Sequence, residues 1–346
     1  MVTHSKPWIN ESDRRAVDEV LASGMLAQGK TVRRFEREVA KYLGWADGVT
    51  VNCGTAALVL ALKALGVDRT HEVIFPTYVC RSVMEAVLTI GAKPILCDVG
   101  QQWTMTAETV APKITPRTAA IIVVHIFGIR ADTASLKQFG VPIVEDSCQA
   151  LSARADQTER GTIEVLSFHA IKCLTTGEGG MALSNDASLL EQMRGFRDGV
   201  DSHLAMRIAS PMTDIQGALG LSQLVRYDDF LKRRRDIAEQ YFAEFYDLPV
   251  QLPECIRNES IFFRFPLRVH GDFYAYRNRF DALNVQVRQG VDALLHRISG
   301  EDRRLFPVAE QLFAETLSIP IYPALRDVEV QAVIAACRRV LGSGGS

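Results

Sequence analysis

The sequence predicts an α/β protein with a parallel sheet covered by helices and a second, smaller α+β domain. Short, nearly continuous apolar segments alternate with helix-like segments between residues 73 and 144, which is typical of parallel strands that are buried on both faces. A long helical stretch then leads to short strand-like and helical segments in the C-terminal part. We therefore predict a large domain over 1–240, a small domain over 241–341 and a flexible tail over 342–346.

The predicted elements follow from hydrophobic periodicity and from residues that end helices. Two helices are expected first, at 10–23 and 31–42, and Gly24 and Gly44 end them. Strands are expected at 73–75, 94–97, 120–125 and 143–144, with helices between them at 56–65, 81–90 and 132–139. One long helix is predicted over 212–245, followed by a strand over 260–269 and helices over 274–283 and 328–341.

The composition fits a protein with a full hydrophobic core and excludes several functional classes. Of the 346 residues, 47% are hydrophobic, which suffices for a core without disulfides or metals. The 39 basic and 41 acidic residues leave a net charge of −2, which argues against a broadly basic nucleic-acid binder. The sequence has no apolar run of the roughly 18 residues that a membrane span needs, and its first residues are polar. We therefore expect a cytoplasmic protein with no membrane or nucleic-acid partner.

The seven cysteines predict neither a disulfide scaffold nor a metal site. Their number is odd, and no two of them form a C-x-x-C pair, which is the spacing typical of zinc ribbons. Most of them stand in apolar or small-residue contexts, where cysteine behaves as a small buried hydrophobe. We therefore expect no metal in this protein.

Two short segments contain candidate groups for binding a charged ligand. Gly54, Thr55 and Ala56 begin a predicted helix, and free backbone N–H groups together with the Thr55 hydroxyl suit an anion. An ordinary capped helix start is the alternative for this segment. Asp146 follows a predicted strand at the position where α/β sheets bind ligands. Its carboxylate suits a cationic group, and a helix N-cap is an equally good interpretation.

Lys172 is the candidate nucleophile. It is an isolated lysine in an apolar, small-residue setting, and burial favours the neutral, nucleophilic amine over the ammonium. Ser167 precedes it and is a candidate anion ligand, while the dense glycines of 177–180 require unusual backbone angles or a close backbone approach. A surface lysine and a tight turn are the alternatives. Together, an anion cradle, a carboxylate and a lysine are the groups that proteins contribute to pyridoxal phosphate (PLP) chemistry.

The chain resembles the sugar aminotransferases of the DegT/StrS type, which are PLP enzymes of fold type I. The resemblance covers nearly the whole chain. Its most specific segments are EDSCQA at 145–150, SFHAIKCLTTGEGG at 167–180 and TDIQGALGLSQL at 213–224, and GTAAL at 54–58, EVIFP at 72–76 and FPVAEQLFAETLSIPIYP at 306–323 also match. It implies a large domain with a mixed, mostly parallel sheet covered by helices and a smaller C-terminal α+β domain.

The resemblance also implies a role for each candidate residue. Lys172 matches the lysine that forms a Schiff base with PLP and later moves the proton. Asp146 matches the acid that keeps the pyridine nitrogen of PLP protonated, which makes the ring an electron sink. The other implied cofactor contacts are Gln149 beside the ring oxygen, Ser167 at the phosphate, and Gly54, Thr55 and Ala56 in the phosphate cradle.

The implied reaction is the transfer of an amino group from a donor, usually glutamate, to a keto group of a nucleotide-linked sugar or a related cyclic ketone. The family works as a homodimer with active sites at the subunit interface, and Glu178 is a candidate for ordering that interface. A PLP enzyme of another reaction type and a non-catalytic, PLP-binding regulatory homologue are the alternatives. The dehydrating branch of the family carries histidine in place of the lysine, so Lys172 argues against dehydration.

The sequence departs from the family pattern at two positions. Many members carry an Asn-x-Arg segment whose Asn reaches the cofactor phosphate of the neighbouring subunit. Here the equivalent stretch is Ala-Ser-Pro-Met at 209–212, and Ser210 and Arg207 are the available substitutes. Many members also stack an aromatic ring on the cofactor where Cys80 stands here. We therefore count Cys80 among the cofactor-binding residues, with Tyr78 nearby.

The sequence offers few candidates for substrate specificity. Phe262, Phe263 and Arg264 form a strand-like run for which packing in the core is favoured over contact with the active site. A nucleotide pyrophosphate needs basic contacts. The candidates for those contacts are Arg194, Arg197, His203 and Arg207.

Overall fold

The structure is a computed structural model that describes residues 1–152, 160–199, 208 and 210–342. The first two helices form where the sequence predicts them. Helix α1 (Glu11–Ser23) begins after Asn10, whose side chain accepts a hydrogen bond from the Asp13 backbone, and it ends at Gly24. Helix α2 (Lys30–Leu43) buries one apolar face and ends at Gly44.

Among the described residues, the larger sheet has seven strands. They are β1 (Asp47–Val51), β2 (Glu72–Pro76), β3 (Lys93–Cys97), β4 (Thr118–Val124), β5 (Ile143–Asp146), β6 (Ile163–Ser167) and β7 (Gly180–Ser184). Their order across the sheet is β1-β7-β6-β5-β4-β2-β3, and within this part of the chain only β7 runs antiparallel to its neighbours. The prediction of a mixed, mostly parallel sheet is confirmed.

Helices flank this sheet and connect its strands. They are α3 (Gly54–Ala64), α4 (Arg81–Thr89), α5 (Ala107–Val110), α6 (Thr133–Leu136) and α7 (Ala187–Asp198). Most residues of α3 are buried, because its sequence is apolar on nearly all sides, as expected for a helix in the interior of a large domain. The helix predicted over 132–139 is only one turn of α-helix, followed by a 3-10 turn at 137–139.

The single helix predicted over 212–245 is wrong, because two helices meet at Arg226. They are α8 (Asp214–Val225) and α9 (Tyr227–Phe245). The Arg226 guanidinium donates a hydrogen bond of 2.6 Å to the buried Asp13 carboxylate, which also accepts from Ser222 and Gln223. This tertiary contact fixes the end of α8 against α1, and tertiary contacts of this kind override local helix propensity.

A smaller antiparallel sheet lies in the C-terminal part, with the order β8-β10-β9. Its strands are β8 (Phe265–Arg268), β9 (Arg288–Gln289) and β10 (Thr316–Ile319), and the helices of this part are α10 (Glu254–Glu259), α11 (Phe273–Asp281), α12 (Leu295–Ser299), α13 (Pro307–Glu315) and α14 (Asp327–Leu341). The strand predicted over 260–269 is shorter than expected. Ser260 pairs with Ile129 instead, and Phe262 adopts a left-handed φ of 54° that interrupts an extended chain.

The C-terminal part is connected to the larger sheet at several points. Residue 240, the predicted domain boundary, lies inside α9, so the division into 1–240 and 241–341 stays a prediction. Thr77, directly after β2, accepts a hydrogen bond of 3.1 Å from the Leu295 backbone at its carbonyl. Its hydroxyl accepts one of 3.0 Å from the His296 backbone and lies 2.7 Å from His296 Nδ1. Of the predicted tail, residues 343–346 lie outside the described residues.

The described ranges contain neither a membrane-spanning helix nor a metal-binding cluster. None of the helices there has the length and apolar character needed to cross a membrane. In the same ranges, no three histidine, cysteine or acidic side chains are grouped so that they could hold a metal ion.

Candidate active site

The candidate residues meet at one edge of the larger sheet. Strands β1, β5 and β6 run in the same direction, so their carboxyl ends lie at the same edge, where α/β proteins bind ligands. Asp146 is the last residue of β5, Ser167 is the last residue of β6, and Gly54 begins α3 shortly after β1. The sheet topology therefore gathers three of the predicted site residues.

Ser167 lies directly against the first turn of α3. A Cβ atom on Gly54 would lie 3.0 Å from Ser167 Cβ, 3.4 Å from Ser167 Oγ and 3.3 Å from Cys148 Sγ. The Ala56 N–H points to Cys53 Sγ at 3.4 Å, while the N–H groups of Gly54 and Thr55 precede any intrahelical partner. A serine hydroxyl and free amides at a helix N-terminus form a cradle that fits a phosphate.

The Asp146 carboxylate is buried, with 4% of the residue exposed. Its Oδ1 accepts a hydrogen bond of 3.0 Å from the Cys148 backbone. Behind it, His125 Nε2 lies 3.0 Å from Glu145 Oε2, and His125 Nδ1 accepts from the Ala131 backbone. Because Nδ1 accepts, Nε2 carries the ring proton and donates it to Glu145. This buried pair holds the end of β5 in place.

Two thiols lie near both Asp146 and Lys172. Burial raises the pKa of both Cys80 and Cys148, and the Asp146 charge raises each pKa further. The Lys172 ammonium acts on both thiols in the opposite direction and lowers their pKa. The carboxylate and the lysine therefore face the same small region of the cleft, as the resemblance implies.

Lys172 is half-buried and occupies a turn after β6. Its backbone N–H donates to the His169 carbonyl at 2.8 Å, and its Nζ lies 5.2 Å from the centre of the Phe263 ring. Among the described residues, no acceptor hydrogen-bonds to Nζ. The amine is therefore held by packing on an aromatic face and stays available to a ligand.

One hydrogen bond orients the side chain of Gln149. The side chain is half-buried, and its Oε1 accepts a hydrogen bond of 2.8 Å from the Phe127 backbone. This bond fixes the orientation of the amide, so its NH₂ group is the end left for a ligand. Which ligand atom it meets stays a prediction.

The structure separates the two residues considered for the face of the cofactor ring. Tyr78 is fully buried, and its ring packs edge-to-face on Phe127 with centroids 6.4 Å apart. Cys80 as a residue is exposed, although protein surrounds its thiol closely enough to raise its pKa. Tyr78 is therefore closed off from a ligand, whereas Cys80 is accessible to one.

The glycine-rich loop closes against the cradle. A side chain at Gly180 would collide with the Cys53 carbonyl, so β7 approaches the start of α3 closely, as the dense glycines predict. The Glu178 carbonyl accepts hydrogen bonds from Thr176 and Gln216, while its carboxylate is exposed and lies 3.5 Å from His169 Nε2. The exposed carboxylate leaves the expected interface role of Glu178 a prediction.

Two of the four basic residues considered for a pyrophosphate lie in the described part of the chain, and both have other partners. Arg194 pairs with Asp47 at 2.6 Å. Arg197 is buried and pairs with Glu36 and Asp198, each at 2.7 Å. These ion pairs hold α7 against α2 and β1 and argue against a role in substrate binding. His203 and Arg207 lie outside the described residues.

Phe263 is buried and packs in a hydrophobic cluster, as the sequence predicts. The structure nevertheless brings the Phe263 ring to Lys172, and Arg264 follows it along the chain. No sequence signal identifies this contact, because the two residues lie far apart in the chain and meet only in the folded protein.

At this edge of the sheet, a serine hydroxyl lies against a helix N-terminus, and a buried carboxylate and a lysine lie near the same two thiols. The donor set fits PLP, because its phosphate, its pyridine nitrogen and its aldehyde need these three kinds of group. Fold and site together define a PLP-dependent transferase.

Comparison with known proteins identifies the family to which this transferase belongs. The chain belongs to the DegT/DnrJ/EryC1/StrS aminotransferase family, whose sequence pattern matches residues 7–338. It is 31% identical over 379 residues to the dTDP-3-amino-3,4,6-trideoxy-alpha-D-glucose transaminase of Micromonospora megalomicea, with 99% of both proteins covered. The chain is therefore a PLP-dependent aminotransferase.

Solved structures agree with this assignment. The aminotransferase TlmJ from Streptoalloteichus hindustanus is similar with a TM-score of 0.92 and 32% identity, and 99% of both chains is covered. Spr1654 from Streptococcus pneumoniae, solved in a PLP form, is similar with a TM-score of 0.88 and 25% identity over 98% of this chain and 99% of that one. The same protein has also been solved in a PMP form, with a TM-score of 0.89 and 26% identity over 97% of this chain and 96% of that one.

Proposed function

We propose that this protein transfers an amino group from an amino acid, with glutamate as the donor, to the keto group of a nucleotide-linked sugar or a related cyclic ketone. The observation that carries the proposal is the placement of Lys172 and Asp146 around one cleft that ends at the Gly54–Ser167 cradle. The name of the Micromonospora relative supports a nucleotide-linked sugar as the acceptor.

In this proposal, each site residue has its own role in binding the cofactor or in the reaction. Bound PLP supplies an aldehyde that takes up amino groups and a ring that stabilises negative charge. Lys172 Nζ would hold the aldehyde end and move the proton during transfer, because its amine has no hydrogen-bond partner among the described residues. Asp146 holds the proton on the ring nitrogen. The cofactor phosphate is bound by the hydroxyl of Ser167 and by the N-terminal turn of α3, at Gly54, Thr55 and Ala56.

The remaining cofactor contacts are Cys80 and Gln149. Cys80 takes the place that an aromatic ring holds in many family members, and its exposure to the cleft supports this role. Gln149 is fixed through its Oε1, so its NH₂ group donates toward the ring oxygen.

The enzyme acts as a homodimer in this proposal. The face formed by α1, α2 and α8 carries a groove of about 680 Å³, and Met25, Leu26 and Val225 expose large apolar side chains. Ser210 accepts a hydrogen bond of 2.8 Å from the Asn52 backbone just before α3, so the segment that departs from the family pattern lies near the phosphate cradle. Light scattering should give twice the 38.3 kDa chain mass, and an active monomer would contradict the shared site.

We also place the protein in the cytoplasm. Support comes from its cysteines, because disulfides are rare in reducing compartments. The thiols that form no disulfide are Cys53, Cys80, Cys97, Cys148, Cys173 and Cys337.

The absorption spectrum of the PLP-loaded protein tests the proposed reaction. The band of lysine-bound PLP should convert to that of the pyridoxamine form when glutamate is added. Addition of a nucleotide-linked keto sugar to the pyridoxamine form should restore the first band. A PLP band that glutamate leaves unchanged would contradict glutamate as the donor, and failure of keto sugars to restore it would contradict the acceptor class.

A further inference from the structure

Arg264 lies beside the active site without a carboxylate partner among the described residues. It directly follows Phe263, whose ring faces Lys172 Nζ at 5.2 Å. Its Nη1 donates hydrogen bonds to the backbone carbonyls of Gln289 at 2.9 Å and Gly290 at 3.0 Å. Within the described ranges, no other hydrogen bond or ion pair joins its guanidinium to the protein.

The contact with Gly290 places Arg264 next to the wall of the cleft that carries Cys80. A side chain at position 290 would collide with the Tyr78 hydroxyl, so the Gly290 backbone packs directly on Tyr78. Tyr78 precedes Cys80 by two positions, and the charge of Arg264 is close enough to interact with the Cys80 thiol. Arg264 therefore adjoins a residue that contacts Lys172 and is close to Cys80.

The environment of Arg264 compensates its positive charge only in part. Burial lowers the pKa of its guanidinium, the charge of Asp292 opposes this effect without forming an ion pair, and the charge of Arg288 lowers the pKa further. Arg264 is half-buried, and partial removal of a cation from water is costly unless it is paired. The two carbonyls satisfy only Nη1, which leaves Nε and Nη2 as donors for an acceptor that the folded chain does not supply.

We propose that Arg264 binds a carboxylate of the amino-acid donor, an inference that rests on the proposed aminotransferase function. The free edge of a guanidinium presents parallel N–H donors that match a carboxylate in bidentate geometry. An amino acid carries a carboxylate one carbon from its amino group. A donor whose amino group lies near Lys172 therefore brings that carboxylate to the neighbourhood of Arg264.

Binding of glutarate, which has both carboxylates of glutamate but no amino group, tests the inference without turnover. Titration calorimetry on the PLP-loaded protein should show that Arg264→Gln weakens glutarate binding by roughly 10- to 100-fold. Arg264→Lys should restore part of the affinity, because it keeps the charge and loses the planar pair of donors. Arg288→Gln is the matched control, since it removes a neighbouring but exposed guanidinium, and should bind glutarate like the wild type.

Amidated donors show which carboxylate Arg264 holds. If it binds the α-carboxylate, Arg264→Gln should slow conversion to the pyridoxamine form by glutamate and glutamine, and leave the slower reaction of isoglutamine unchanged. If it binds the side-chain carboxylate, the defect should affect glutamate and isoglutamine and spare glutamine. Either pattern supports a donor carboxylate, whereas an equal loss with all three donors would overturn it.

The experiments can overturn the inference about Arg264 and the proposed function independently of each other. Glutarate binding that is the same in wild type and Arg264→Gln overturns the inference, even if transamination is confirmed. A defect of Arg264→Gln that is limited to reaction with the keto sugar also overturns it. Arg264-dependent glutarate binding in a protein that transfers no amino group would keep the inference and contradict the proposed function. Arg264 also donates hydrogen bonds to two backbone carbonyls, so its substitution could disturb the fold. The melting temperature and the PLP absorbance of each variant are therefore the controls for folding, and the comparison of glutarate binding requires that both match the wild type.

Discussion

Lys172 Nζ lies 5.2 Å from the centre of the Phe263 ring. The lysine belongs to the loop between β6 and β7 of the larger sheet, whereas Phe263 belongs to the segment that enters the smaller sheet. The reactive amine is therefore positioned by both parts of the chain.

Lys172→Ala should abolish the covalent attachment of PLP. Borohydride reduction of the wild type should leave PLP on Lys172, as peptide mass spectrometry would show, and the variant should transfer amino groups roughly 10²- to 10⁴-fold more slowly. The control is Lys63→Ala, since Lys63 Nζ also lies over a phenylalanine ring, that of Phe196, at 5.8 Å. Lys63→Ala should keep both the label and the rate, and PLP reduced onto another lysine in the wild type would contradict the assignment.

Asp146→Asn should make the Cys80 thiol more reactive. Burial and the Asp146 charge raise the pKa of Cys80, so removal of the charge lowers that pKa and increases the thiolate fraction at a given pH. Iodoacetamide should therefore alkylate Cys80 faster in the variant at pH 8, measured by mass spectrometry without added PLP.

Cys337 serves as the internal control for this experiment. Its pKa is raised by burial alone, so it should stay unlabelled in both proteins unless the variant unfolds. An unchanged alkylation rate at Cys80 would show that Asp146 does not act on this thiol.

Gly54→Ala should weaken PLP binding. The added methyl group would lie 3.0 Å from Ser167 Cβ and 3.3 Å from Cys148 Sγ, so the cradle must open and the affinity should fall by roughly tenfold or more. Fluorescence titration with PLP would measure the change.

Gly195→Ala is the matched control for that substitution. Gly195 lies inside α7 with open space where its side chain would be, so alanine should raise the free energy of unfolding by about 0.5–1 kcal/mol. PLP affinity should not change. Equal PLP affinities of the two variants would argue that the first turn of α3 does not hold the phosphate.

The stability of the protein should fall as the pH drops below about 6.5. His4 is buried, with Nε2 at 2.9 Å from Ser318 Oγ. Burial and the charges of Arg264, Arg288 and Arg234 lower its pKa. The unfolded chain therefore binds a proton that the folded protein excludes, so this contribution is fully present above the unfolded pKa and is lost as the pH falls below it.

Urea unfolding between pH 5 and pH 8 measures this dependence. The His4→Gln variant keeps a hydrogen-bonding side chain at this position but cannot take up a proton there. The free energy of unfolding of the variant should therefore change less steeply with pH than that of the wild type, and the two slopes should differ by up to about 1.4 kcal/mol per pH unit. If the free energy of unfolding changes equally with pH in the two proteins, groups other than His4 cause the acid sensitivity.

The sequence could predict most of the cofactor site for a physical reason. Asp146, Ser167 and the first turn of α3 each directly follow a buried strand, and parallel strands bring such positions to one edge of a sheet. The motifs at 145–150 and 167–180 then identify the chemistry.

The sequence could not predict features that depend on long-range contacts. The break at Arg226 follows from its ion pair with Asp13, more than 200 positions away. The approach of Phe263 to Lys172 and the burial of Tyr78 against Gly290 have the same origin. Local apolar patterns mark such residues as buried, and they contain no information on which other residue lies next to them.

The hydrogen bonds between Thr77 and the Leu295–His296 backbone make the C-terminal part a structural support for the cofactor cleft. Thr77 lies three positions before Cys80, so the segment that forms one wall of the cleft is anchored from outside the larger sheet. Loss of the C-terminal part would leave this wall unsupported even though most cofactor-binding residues precede it in the chain. We therefore expect cofactor retention and the integrity of the C-terminal part to be lost in one cooperative step, and we expect the first 240 residues alone not to bind PLP.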